Sequence, residues 1–229
     1  MSELPPSPLV QSLSLPCEHG MLHGTLNLLP GAHGIVVLVH AALALDGRDG
    51  IVAEHFQQAG LSTLNVDLVT LREEHFPDVH RNVPLLCKRL LDFLGQIKQR
   101  MQLEEIPTQA IGLYAANTTS PVVIRVASLR DHDIAAIVCR GGLIDLAGML
   151  YLRSLESPLL MLIEETETQQ LATTRRGLQE MSCEKELTII PEVGIDFAAS
   201  SGFEMAAQQA TQWFVKHLHT TSQAGSLLS

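Results

Sequence analysis

The stretch Ile35-Val36-Val37-Leu38-Val39 is apolar at every position, so a strand built from it needs cover on both faces rather than one. Similar short runs recur at Leu61–Val66, Ala110–Tyr114, Ile134–Val138, Leu159–Ile163 and Leu187–Ile190. Helical patterns separate them. These fall at Ile51–Ala59, at Val83, Leu86, Leu90, Phe93, Leu94 and Ile97 with spacings of three and four, at Val122–Leu129, within Thr168–Met181, and at Phe203–Leu218. Upstream, SLSLPC and LHGTLNL flank EHGM and alternate apolar with polar residues, which predicts an antiparallel hairpin. The fold expected is α/β: a doubly wound, mostly parallel sheet with an N-terminal antiparallel hairpin and helices on both faces.

A chain of 229 residues, 46% of them hydrophobic, fits one such domain, predicted over 11–219. Three prolines in residues 1–10 suggest a flexible arm, and 220–229 is expected to be a flexible tail. A formal net charge of −10 argues against a phosphate-binding surface, so nucleic acid is not an expected partner. No apolar run reaches the roughly 18–20 residues that span a bilayer, and MSELPPSPL lacks the charged-then-apolar order of a signal peptide. The expectation is a soluble cytoplasmic protein away from membranes. Cys17, Cys87, Cys139 and Cys183 lie far apart without a CxxC pair, which predicts four free, buried or half-buried thiols. No GxGxxG or Walker-type loop supports a nucleotide cofactor, and His217 and His219, two apart on a helix, make a poor metal pair, so neither cofactor nor metal is expected.

In an open α/β sheet, ligands gather at the carboxyl ends of the strands. The residues there are His40-Ala41-Ala42-Leu43-Ala44, Asp67, the stretch LYAANTTSP over 113–121, Glu164-Glu165-Thr166-Glu167, and Pro191–Phe197. Other segments carry a family pattern: VCRGGLIDLA over 138–147 followed by SPLLMLI over 157–163, and AGLSTLNVDL over 59–68. Across roughly residues 12–218 the chain resembles the dienelactone-hydrolase branch of the α/β-hydrolase superfamily, whose small members carry HGSGSS, GASTGAA, RGGRPDLA and PGATHLFEEPG.

The resemblance implies a triad, and this chain departs from it at each point. The family's elbow serine falls on Asn117, whose amide nitrogen is delocalised into its carbonyl and cannot act as an acyl-transfer nucleophile. Its flanking glycines become Ala115 and Thr119, which predicts a relaxed turn. The acid falls near Glu167, on an acidic loop that reads as solvated surface, and the histidine falls on Ile195. After residue 117 only His132, His217 and His219 remain, none in a loop over the sheet. The oxyanion-loop glycine is replaced in His40-Ala41-Ala42.

The same residues have plainer readings. NTTSP suits a helix start, with Ser120-Pro121 opening the helix and Asn117 tying down a turn. His40 supports the loop behind it, Cys139 is a buried thiol rather than a nucleophile activated by Arg140, and Arg140 with Asp145 forms an internal ion pair. Two functions follow. One is a pseudo-hydrolase that binds a small molecule or a protein, with His40, Ala41, Asn117 and Thr118 as ligand-binding candidates. The other is an esterase or lactonase with its nucleophile relocated among Thr118, Thr119 and Ser120 and with His40 as base.

Overall fold

The computed structural model describes residues 9–41, 47–76, 78–130, 133–191 and 198–218. Strands β1 (Leu9–Cys17) and β2 (Gly20–Leu28) pair antiparallel around a two-residue turn, Glu18-His19. The six later strands are β3 (Ile35–His40), β4 (Ser62–Asp67), β5 (Ile111–Ala116), β6 (Ile134–Arg140), β7 (Leu159–Glu164) and β8 (Lys185–Ile190). All eight form one sheet in the order β1-β2-β4-β3-β5-β6-β7-β8, parallel from β4 onward and antiparallel before it. The sheet is the one expected, with every sequence-predicted strand present.

The unalternated runs are explained by helices on both faces. Helices α2 (Val83–Gln102) and α3 (Ser120–Leu129) bury Leu86, Leu90, Phe93, Val122 and Val126 against Val37, Val39, Leu113, Ala115, Ile137 and Cys139. Helices α1 (Gly47–Gln58) and α6 (Ala198–His217) place Phe56, Ala207, Ala210 and Phe214 against Val36, Leu38, Tyr114 and Val138 on the other face. Successive strand residues thus serve opposite cores, which is why each position had to be apolar. Two shorter helices, α4 (Met149–Ser154) and α5 (Thr168–Gln179), follow β6 and β7.

Some boundaries differ from expectation. Leu9 and Val10 pair with Leu28 and Asn27, so strand β1 takes in the end of the expected arm. The rest of that arm, and the tail over 220–229, lie outside the described residues. Helix α4 and the short 3-10 segments Glu73–His75, Val79–Arg81 and Ile144–Ala147 had no sequence signal, because segments this short complete too little of a helical period to show one. Among the described residues no helix is long and apolar enough to cross a membrane.

A buried ion pair fixes the long connection from β4 to α2. Arg89 donates to Glu73 at 2.9 and 2.5 Å and to the Leu68 carbonyl at 2.6 Å, while Glu73 also accepts the Thr70 N–H at 3.0 Å. That connection carries His80 and Arg81 to the carboxyl edge of the sheet, where β3 and β5 also end.

Candidate functional site

The turn after β5 is sharp. Asn117 has φ +52°, in the left-handed region that asparagine enters more easily than most residues, and α3 begins three residues later at Ser120. The relaxed turn expected from the loss of flanking glycines is therefore not found. Ala115 sits within β5, and Thr119 lies beyond the left-handed position. Neither residue has a positive φ, so neither needs glycine.

Asn117 does not tie down the turn as the sequence suggested. Its side chain is exposed and makes no hydrogen bond to any described residue. Thr119 ties the turn instead: its hydroxyl accepts the Ala116 N–H at 3.2 Å and shares its own proton between the Val39 and Ala116 carbonyls, each 3.0 Å away. The Ser120 hydroxyl donates to the Gly141 carbonyl at 2.8 Å. Thr119 is 2% and Ser120 0% exposed. Both hydroxyls are thus committed to backbone, and only Thr118 presents a free one to solvent.

The RGG segment packs directly beneath this turn. Gly141 (φ +70°) and Gly142 (φ +95°) leave room for it; a Cβ on Gly142 would lie 2.2 Å from the Asn117 carbonyl oxygen and 2.9 Å from the Ser120 Cβ. The Gly142 N–H donates to Gln170 Oε1 at 2.8 Å, and Gln170 Nε2 donates to Glu167 at 3.0 Å. Glu167, near which the resemblance put an acid, therefore holds a clamp between the start of α5 and the glycine loop. Sequence reasoning missed Gln170; its position three residues after Glu167, on the same side of the first turn of α5, was the available signal.

Arg140 pairs with Glu164 across the ends of β6 and β7 at 3.8 Å, with its guanidinium 5.3 Å from the Phe203 ring centre. The expected Arg140–Asp145 pair is not formed, because Asp145 stands exposed on the 3-10 segment Ile144–Ala147. Cys139 is fully buried; loss of solvent raises its thiol pKa to about 12, and it donates weakly to the Ser120 carbonyl at 3.9 Å. The buried-thiol reading holds for it, and all four cysteines are free.

His40 ends β3, half-buried and opposite Asp67 of β4. Ala41, next to it, is buried, and its carbonyl accepts a short hydrogen bond from His80 Nδ1, a contact that the sequence did not reveal. Among the described residues no histidine nitrogen hydrogen-bonds Thr118, Thr119 or Ser120. Ile195 and His132 lie outside the described residues. Nor does any described group of His, Cys, Asp and Glu have the makings of a metal site.

Two cavities meet at Asn117. One, of about 360 Å³, is walled by Val83, Pro121, Leu143 and Leu146, with Arg81, Thr118 and Gln170 at its edges. The other, of about 220 Å³, is polar and lined by Arg140, Glu164, Glu167 and Gln170. Of the candidate residues, the structure brings Asn117, Thr118 and Glu167 to these cavities and leaves His40 and Ala41 outside their walls.

A mostly parallel eight-stranded sheet, an N-terminal antiparallel hairpin and a left-handed strand-to-helix turn at its centre define an α/β-hydrolase-fold protein. Among proteins of that fold the chain is similar to a dienelactone hydrolase. It superposes on the dienelactone hydrolase of Anabaena variabilis with a TM-score of 0.81 at 28% identity, covering 93% of this chain and 100% of that one. Carboxyl esterase 2 of the mycorrhizal fungus Tuber melanosporum shares the fold, with a TM-score of 0.70 at 12% identity over 95% of this chain and 89% of its own. In sequence, a Mycobacterium tuberculosis protein named provisionally as a phosphoribosyl transferase, found in two strains, is 29% identical over 197 residues. The match takes in 85% of this chain but 44% of that protein, so the chain spans less than half the length of these curated relatives. No protein-family profile matches the chain.

Proposed function

We propose that this chain is a non-catalytic member of the hydrolase fold, a pseudo-hydrolase that binds a small molecule in the cleft beside Asn117. The observation that carries this reading is the elbow itself: its left-handed geometry is kept, yet it presents a carboxamide with no bonding partner among the described residues to an open cavity of about 360 Å³. A carboxamide can recognise but cannot attack, and pockets of this size hold small molecules. An open cleft favours ligand binding over a purely structural or protein-interaction role. The four free thiols suit a reducing compartment, and we place the protein in the cytoplasm.

The name of the mycobacterial relatives does not transfer readily. More than half of each lies outside the match, and the matched chain has a hydrolase sheet, a net charge of −10 and no glycine-rich phosphate loop.

The reading is tested with a panel of activated esters, thioesters and lactones. Rates equal to buffer are expected; turnover well above buffer that disappears in Asn117→Ala would sink it. One observation favours a second reading, a hydrolase with a relocated nucleophile: Thr118 is exposed at the cleft. A fluorophosphonate probe would then label folded protein at Thr118.

A further inference from the structure

Resting on the reading of this cleft as a ligand site, we infer the class of molecule it takes: a neutral compound with a carboxamide-like head and an apolar tail. The walls are Val83, Pro121, Leu143 and Leu146, of which Leu143 is 39% and Leu146 57% exposed. Beyond the cleft, in the same short segment, Met149 and Leu150 are 48% and 73% exposed. Four large apolar side chains left open within eight residues cost solvation energy unless something covers them, and the adjoining cavity is of small-molecule size.

The head follows from Asn117, which lines the cleft. The Asn117 carboxamide offers both a donor and an acceptor, and a primary amide answers both at once. An anion is disfavoured there. Glu164 and Glu167 line the cavity on the other side of Asn117, Arg140 already faces Glu164, and the whole chain carries −10. Arg81 at the cleft edge is solvent-exposed, where its charge is screened.

The test is calorimetric titration of the full chain with butanamide, hexanamide, octanamide and decanamide, alongside the carboxylates of the same lengths. Kd is expected to fall about fourfold per added methylene until the chain outgrows the cleft. The amides are expected to bind more tightly than the matched carboxylates. Leu146→Asp, at an exposed position where folding is preserved, should flatten the chain-length dependence; Asn117→Gly should weaken every amide about tenfold and leave the dependence intact. Affinity independent of chain length, tighter carboxylates, or a Leu146→Asp change that alters only the oligomeric state would each overturn the inference. The two readings fail separately. Hydrolysis of the matching esters with the chain-length trend intact overturns the non-catalytic reading alone, whereas binding of a polar metabolite without that trend overturns this inference alone.

Discussion

At Asn117 the backbone and the side chain obey different constraints. The backbone at φ +52° disfavours residues with a Cβ, asparagine being among the few that tolerate it, whereas the side chain bonds to no described residue. Asn117→Gly is therefore expected to leave urea-denaturation stability unchanged or slightly raised, and Asn117→Ala to lower it by about 1 kcal/mol. Gly142→Ala should cost about 2 kcal/mol or more, because its Cβ would meet the Asn117 carbonyl oxygen at 2.2 Å. A serine at this position tests the chemistry: Asn117→Ser is expected to give no ester hydrolysis above buffer, because no described histidine nitrogen hydrogen-bonds this turn. Hydrolysis by this variant would show that a base is already in place. The sequence located this turn but misassigned its hydrogen bonds. Asn, Thr and Ser in NTTSP share one capping preference, and which of them reaches the backbone depends on the φ of Asn117, which propensity does not set.

Among the elements, the connection from β4 to α2 is held by the Arg89–Glu73 pair, whose side chains are almost wholly buried. Burial alone would raise the Glu73 pKa, but the hydrogen bonds from Arg89 and Thr70 and the charge of Arg89 outweigh it and leave the carboxyl below its usual value. A carboxylate depressed in the folded state adds stability above the ordinary carboxylate range and loses it as pH falls through the lowered value. Acid-unfolding curves should show this: Glu73→Gln is expected to cost about 3–5 kcal/mol at neutral pH, by stranding Arg89, and to make stability less steeply dependent on pH below about 5. If the variant unfolds with the same acid slope as the parent, the pair is not a stabilising anchor. This pin was illegible in the sequence, where Glu73 and Arg89 are two charges among many in a long connection. The strands were legible because a residue run covered on both faces admits no polar alternation, as in Ile35–Val39. The walls of the cleft were not, since Val83, Pro121 and Leu146 come from three separate segments that only the sheet order brings together.

For the molecule as a whole, the two helical layers make the buried thiols reporters of opening. Cys87 on α2 and Cys139 on β6 both lie in the core between the α2–α3 layer and the sheet, and loss of solvent raises their pKa to about 11 and about 12. The thiolate is the reactive form, so at neutral pH both should resist a disulfide reagent in the folded protein while the partly exposed Cys17 and Cys183 react first. Because the folded state holds these thiols protonated, their contribution to stability is present below the ordinary thiol range and falls as pH rises toward those raised values. Alkaline unfolding should accordingly begin above about pH 8.5. Cys139 also sits directly under the elbow, its sulfur 3.9 Å from the Ser120 carbonyl, so its labelling requires α3 to lift from the sheet. A molecule bound in the cleft contacts Pro121 of that same helix and stabilises the closed state by mass action. Octanamide at saturation is therefore expected to slow labelling of Cys139 in proportion to its occupancy while leaving Cys17, far away on β1, unchanged. Equal slowing at both sites would mean the ligand acts on global unfolding alone, and no slowing at either would mean it does not bind the folded chain.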